Sequence, residues 1–385
     1  MDSYFFFFGR SPELSTRELS VFFPTVELMA EDVARVDAAA FPFQEKELPM
    51  EESLRILGGT TKVARYLGSA PDMTPEIIAS YLLVDHPHRI EFGISSYAGD
   101  THVSSQFLKS VKDILESEGA TARFLFSRHG ETLSSVAVSR QDVFEINVCK
   151  KDETYFFSKT IAVQEFEAWN KRDYGRPYAD PKSGMLPPKV SRMIATIGLG
   201  NNPKGKILLD PFCGMGTVLG EAMLLGAMVI GSDYLSDVVM RAESNCAWLE
   251  AQYPGIQKPV FYTADATHIS EILPPASVDV IATEPFMGSN KLGEGSITDK
   301  KKIENIMKGL VKLYLGCLKE WHTVLKPGGV IVMAFPEVTV GKTVCSVKKV
   351  IDSCEKLGYT LRNGPLPYGR PQAIVKRMIY EFEKR

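Results

Sequence analysis

Asp210-Pro211-Phe212-Cys213-Gly214-Met215-Gly216-Thr217 directly follows the apolar run Lys206-Ile207-Leu208-Leu209. An apolar strand that ends in an acid and a glycine turn, and then opens a helix, makes a ligand pocket in an open α/β sheet. The turn aims backbone N–H groups and the positive end of a helix at the ligand. The segment contains neither Gly-x-Gly-x-x-Gly nor Gly-Lys-Ser/Thr, the signatures of phosphate binders. Asp210 would repel a pyrophosphate, whereas a carboxylate suits an amine or a sulfonium. The loop therefore reads as a site for S-adenosylmethionine, not for NAD or ATP.

Two more acids follow apolar runs at the same relative position. Asp233 ends Val229-Ile230-Gly231-Ser232, and Asp265 ends Phe261-Tyr262-Thr263-Ala264. An acid after the second strand can accept hydrogen bonds from both ribose hydroxyls. An acid after the third can accept from an adenine amino group, with the Ala266 amide aimed at a ring nitrogen. Phe212, Gly214 and Gly216 complete the expected cofactor set, the glycines letting the backbone approach the methionine part. A fourth apolar run ends in Thr283-Glu284-Pro285-Phe286. Amino-methylating enzymes commonly carry Asp/Asn/Ser-Pro-Pro-Tyr/Phe here. The acid or amide and a proline-fixed carbonyl accept from an exocyclic NH₂, and the ring stacks on the base. Two registers are open: Glu284 stands at the acid position with Phe286 one residue early, or Thr283 stands there and Pro285-Phe286 match the last proline and aromatic. Transfer of a methyl group then needs mostly positioning.

These residues need a parallel sheet to bring them together. Strands are expected at 206–210, 228–233, 260–264, 278–282 and 329–335, with helices over 217–225, 236–252 and 301–325. Single helical crossovers predict a doubly wound α/β sheet of Rossmann-like type. Runs at 360–361 and 377–383 have no helix between them and predict an antiparallel hairpin at the sheet edge. Ahead of this lies an α+β region with strands at 4–8, 88–97, 123–126, 143–148 and 154–163 and a helix at 104–118. Residues 52–66 read as a connector and a short helix, with Gly58-Gly59 as a turn. Residues 164–188 are rich in Pro, Gly and charge and read as a structured connector. The expected division is 1–165, a connector at 166–190, and 191–385.

The formal charge of −3 over 385 residues excludes nothing by itself, but it is unevenly distributed. Residues 1–150 carry 14 Lys/Arg against 22 Asp/Glu, and residues 301–385 carry 16 against 7. A basic sector can contact phosphates while the whole chain stays acidic. Lys300, Lys301 and Lys302, with the loop from 287, and Arg172, Arg176, Lys182 and Lys189 are candidates for that role. The six cysteines form no Cys-x-x-Cys pair, which fits reduced thiols in a cytoplasmic protein. No His or Cys spacing suggests a metal. The Tyr4–Phe8 aromatic run is too short to span a membrane and lacks a basic start, so it reads as a buried strand.

Several segments together resemble the archaeal and eukaryotic tRNA guanine-N2-methyltransferases that carry an N-terminal THUMP region. The resemblance lies in Phe7-Phe8-Gly9-Arg10-Ser11-Pro12-Glu13-Leu14-Ser15, Leu57-Gly58-Gly59-Thr60-Thr61-Lys62, residues 164–177, Gly184-Met185-Leu186-Pro187-Pro188-Lys189 and residues 210–217. It covers most of the chain, most specifically 164–233. It implies a THUMP region that holds the tRNA acceptor end and a Rossmann-like domain that methylates a guanine amino group. Thr283–Phe286 departs from that family's Asp-Pro-Pro-Tyr/Phe. Two other readings share the residues: an adenine-N6 methyltransferase acting on DNA or RNA, and a non-catalytic RNA-binding relative that keeps the cofactor fold.

Overall fold

The computed structural model describes residues 2–84, 88–97, 103–126, 132–133, 138, 143–179, 185–288, 300–341, 343–369 and 373–385. The chain divides into two compact units, 1–42 with 46–166, and 43–45 with 167–385.

The strands along the first 166 residues are β1 (Ser3–Phe8), β2 (Glu27–Ala30), β3 (Val33–Asp37), β4 (Phe41–Phe43), β5 (Lys46–Leu48), β6 (Thr60–Ala70), β7 (Arg89–Tyr97), β8 (Thr121–Leu125), β9 (Phe144–Lys151) and β10 (Thr154–Val163). Helices α1 (Pro12–Leu19), α2 (Ser53–Ile56), α3 (Pro75–Leu83) and α4 (Ser105–Ser117) lie between them. Eight strands form one sheet in the order β2-β3-β1-β6-β10-β9-β7-β8. The aromatic run is buried along the whole of β1. Helices α3 and α4 start at hydroxyl caps: Thr74 accepts from Ile77 N and Ser104 from Phe107 N. The sequence misplaces one element. The short helix precedes Gly58-Gly59, and residues 60–70 form an eleven-residue strand. The β-branched Thr60, Thr61 and Val63 favour a pleated surface, and pairing with β1 and β10 decides it. The Gly58-Gly59 turn is held by the buried Glu18, whose carboxylate accepts from both glycine N–H groups at 2.8 and 2.9 Å.

In the second part of the chain, α5 (Phe166–Tyr174) and α6 (Pro188–Leu199) precede β11 (Ile207–Asp210). Then follow α7 (Thr217–Leu225), β12 (Met228–Asp233), α8 (Ser236–Gln252), β13 (Val260–Thr263), β14 (Val278–Thr283), α9 (Lys300–Val324), β15 (Leu325–Val340), β16 (Thr343–Ser346), α10 (Lys348–Ser353), β17 (Tyr359–Tyr368) and β18 (Val375–Lys384). The sheet order is β13-β12-β11-β14-β15-β18-β17, with β16 paired to β15 off this path. The first five of these strands run parallel, and β18 enters antiparallel between β15 and β17. The doubly wound sheet with its terminal hairpin is as the apolar periodicity predicts. Helix α9 buries Ile303, Met307, Leu310, Tyr314, Leu318 and Trp321, a spacing of three and four that lays one stripe on the sheet.

The connector is pinned by charge. Glu221 on α7 is buried between two arginines, with Arg172 Nε at 2.8 Å and Arg192 Nη2 at 2.8 Å. Arg172 also stacks over Trp169 at 4.1 Å. Replacing Glu221 by Ala leaves two largely buried guanidinium groups without their carboxylate, which costs about 3–5 kcal/mol. Denaturant unfolding should show that loss, and a change under about 1 kcal/mol would mean the triad is not a structural anchor.

Candidate active site

The cavity at the carboxyl ends of the parallel strands has a volume of about 920 Å³. Its walls include Asp210, Phe212, Gly214, Asp233, Asp265, Ala266, Glu284, Pro285 and Phe286. Parallel register is what gathers them: Asp210 lies opposite Gly231, and Asp233 opposite Thr263. Each acid thus reaches the same edge of the sheet. Gly216 caps α7 at φ +76°, a left-handed conformation that disfavours any side chain, and Gly214 turns at φ +51°.

Asp210 is 2% exposed. Its Oδ1 accepts from Thr283 Oγ1 at 2.6 Å and from Phe212 N at 3.2 Å. Burial pushes its carboxyl up to about 7 against these hydrogen bonds, with repulsion from Asp233 and Glu284 adding to the rise. Asp233 receives Gly214 N on Oδ2 and Leu235 N on Oδ1, both at 3.2 Å. Burial raises it too, opposed by those backbone donors. Asp265 differs. Its Oδ1 caps the next turn, accepting from Thr267 N at 2.8 Å and Thr267 Oγ1 at 2.7 Å, and the backbone donor holds it below the usual carboxylate range. The carbonyl of Ala266 is fixed by Trp321 Nε1 at 3.0 Å, and the Trp321 ring meets Phe212 edge-on.

At the end of β14 the two sequence registers separate. Thr283 is 0% exposed and its hydroxyl is given to Asp210, so it faces inward and lines no part of the cavity. The expectation that Thr283 could meet a target base is corrected: strand alternation turns it toward β11. Glu284 lines the cavity. It pairs with Arg377 on β18 and accepts from the Leu186 N–H. Burial raises its carboxyl, and the Arg377 guanidinium pulls it back down. Phe286 is 58% exposed and so is no core residue. Its carbonyl accepts from Tyr314 OH at 2.6 Å, which fixes the loop against α9.

Other expectations change. Arg172 and Arg176 do not serve phosphates. Arg172 is in the Glu221 triad, and the buried Arg176 donates to Thr217 Oγ1 at 2.7 Å, tying the connector to the helix that follows the glycine loop. Lys189 lies over the Trp169 ring. Lys182, Gly184 and residues 289–299 of the loop lie outside the described residues, while Lys300, Lys301 and Lys302 open α9. Sequence reasoning missed Arg377, Tyr314, Leu186, Tyr234 and Leu235. Tyr234 and Leu235 directly follow Asp233 and are well exposed beside the cavity, a signal readable in sequence. Arg377 carries no local signal, being 93 residues from Glu284. All six cysteines are free and buried. Among the described residues no cluster of His, Cys, Asp and Glu could hold a metal, and no helix is long and apolar enough to cross a membrane.

The charge on Asp210 sets a stability trend. Its folded value, about 7, lies above the ordinary 3.8. Its contribution to stability is therefore full below the unfolded value and lost as pH rises through the folded one. Asp210→Asn removes that loss. The melting temperature of the variant relative to wild type should rise from about pH 5 to about pH 8, and a difference that stays constant would place the carboxyl elsewhere on the pH scale.

A methyltransferase-domain family model matches residues 202–371. The chain is 25% identical over 338 residues to the tRNA (guanine(10)-N2)-dimethyltransferase of Methanocaldococcus jannaschii, covering 76% of this chain and 89% of that protein. It is 30% identical over 186 residues to the enzyme of the same name from Methanothermobacter thermautotrophicus, spanning about half of each (48%). The solved structure of TrmN from Thermus thermophilus matches the full length of both chains with a TM-score of 0.54 at 17% identity, which shows a shared fold. The site fits S-adenosylmethionine on its own chemistry. Carboxylates at three strand ends suit a cation, ribose hydroxyls and an amine, and the cavity is of the size of cofactor pockets. Residues 202–371 are accordingly a methyltransferase domain with S-adenosylmethionine as its cofactor.

Proposed function

We propose that the protein methylates an exocyclic amino group of tRNA, guanine N2. The observation that carries this reading is the single cavity in which the three strand-end acids meet Glu284, Pro285 and Phe286. Asp210, Phe212, Gly214, Gly216, Asp233, Asp265 and Ala266 would hold the cofactor, which supplies an electrophilic methyl group when bound. Asp233 would accept from the ribose hydroxyls, and Tyr234 and Leu235 would offer apolar surface for the adenine. Glu284 accepts from the target amino group and offsets the positive charge that grows on its nitrogen. Phe286 offers an exposed ring for stacking on an everted base. The names of the archaeal relatives support guanine and tRNA.

The unit that contains β1–β3 and β6–β10 is read as a THUMP-like module that holds RNA. The basic C-terminal sector adds phosphate contacts. Lys308, Lys312 and Lys319 are exposed along α9 at spacings of four and seven, on one helix face.

Purified protein with tritiated S-adenosylmethionine should label tRNA and not duplex DNA, and nucleoside mass spectrometry should find N2-methylguanosine. N6-methyladenosine would replace this reading with the adenine one, and no transfer to any tRNA with binding intact would favour a non-catalytic relative. Asp233→Ala should weaken S-adenosylmethionine binding about tenfold or more by calorimetry. Unchanged affinity would remove Asp233 from the site. Changing Lys308, Lys312 and Lys319 together to Glu should weaken tRNA binding and flatten its salt dependence. An unaltered salt slope would confine RNA contacts to other surfaces.

A further inference from the structure

The pair formed by Glu284 and Arg377 reaches beyond the assignment of a target amino group, although it rests on that reading. Glu284 directly follows the parallel strand β14, and Arg377 comes from the antiparallel β18, where it lies opposite Pro336 of β15. Both side chains line the cavity. Arg377 Nε donates to Glu284 Oε1, and the Leu186 N–H donates to the same carboxylate. The other titratable groups coupled to Glu284 are Asp210 and Tyr314, both of which it helps to raise. Tyr314 is kept neutral by burial and gives its hydroxyl to Phe286 O. Arg377 is thus the one cation among these described neighbours.

The charge state of Glu284 decides which base edge it can read. An ionised carboxylate only accepts hydrogen bonds, on two oxygens. The Watson–Crick edge of guanine presents N1–H and N2–H side by side, two donors that match it. Adenine presents an N6–H donor beside the N1 lone pair, which an anionic acceptor repels. A protonated carboxyl, with one donor and one acceptor, matches adenine instead. We propose that Arg377 is a positioning and specificity-determining residue: by pairing with Glu284 it presents the cavity with a fixed two-oxygen acceptor that selects the donor–donor edge of guanine over the donor–acceptor edge of adenine.

The test compares wild type, Arg377→Leu, Arg377→Lys and Glu284→Gln as full chains. kcat/KM is measured against pH on tRNA transcripts carrying guanosine or adenosine at the methylated position. Arg377→Leu should lower guanosine methylation about tenfold or more, move the acid limb of the profile to higher pH and narrow the preference for guanosine. Arg377→Lys, which keeps the charge, should restore most of the rate and the limb. Glu284→Gln should lose the acid limb, and an unchanged limb in that variant overturns the proposal. Unchanged S-adenosylmethionine affinity in the Arg377 variants shows the domain intact. The proposal is overturned if Arg377→Leu loses rate with its acid limb and base preference unmoved, or if Lys rescues no better than Leu. Should Arg377→Leu not fold, a wild-type-like limb and preference in Arg377→Gln decides against it. A wild-type enzyme that methylates adenosine and not guanosine would sink the underlying reading itself, whatever the variants do.

Discussion

Burying Asp210 at the end of the central strand removes a carboxylate from water, at a cost that its neighbours must offset. The hydroxyl of Thr283 and the N–H of Phe212 converge on one of its oxygens. The first contact ties β11 to β14, and the second shapes the start of the glycine loop. Asp233 continues the arrangement by receiving Gly214 N, which ties the loop to β12. The two acids thus shape the loop before any ligand arrives. Burial raises both carboxyls, and repulsion from Asp233 adds to the rise of Asp210, so a positive group placed there would favour their ionised forms.

The rest of the cavity is built by elements remote in sequence. Trp321 and Tyr314 of α9 hold Ala266 and Phe286 by their carbonyls, so one helix supports two separate stretches of the cavity wall. Arg377 brings the opposite charge to Glu284 from the inserted antiparallel strand. The connector is drawn onto α7 by the Arg172–Glu221–Arg192 triad and by Arg176 on Thr217. Leu186, at its end, then reaches the carboxylate of Glu284. A departure from a familiar Asp-Pro-Pro pattern is therefore accompanied by Arg377, which holds the longer acid in place and opposes the rise that burial imposes on it.

In the first unit, some of the acidic excess is internal. Glu18 organises the Gly58-Gly59 turn. Glu145 is buried against Lys62 Nζ at 2.5 Å and also accepts from Ser95 and Thr160. A buried pair of this kind is weak evidence for stability but fixes register between β6 and β9 through β10. Because Glu145 is buried together with Lys62, that pair leaves the net charge of the surface unchanged, and of these two acids only Glu18 lowers the acidic excess there.

What could be read from the sequence is what is local. Apolar runs of four to six residues, each closed by an acid, mark β11, β12 and β13 because strand, turn and acid are contiguous. The parallel sheet and its terminal hairpin follow from helical patterns present or missing between strands. The strand at 60–70 was not legible, because pairing on both sides overrode a mixed local pattern. Nor was the inward turn of Thr283, which depends on the pleat of β14 and the presence of Asp210 across the sheet. The arginines at 172 and 176 look like phosphate ligands in a basic loop, yet folding buries Arg172 against the Glu221 carboxylate and Arg176 against the Thr217 hydroxyl, both far along the chain. The sequence by itself determined the sheet, the glycine loop and the order of the acids, because these depend on neighbours a few residues apart. Only the tertiary structure decided which charges face the cavity and which are spent internally, because burial and pairing are set by residues that meet across 29 to 93 positions of chain.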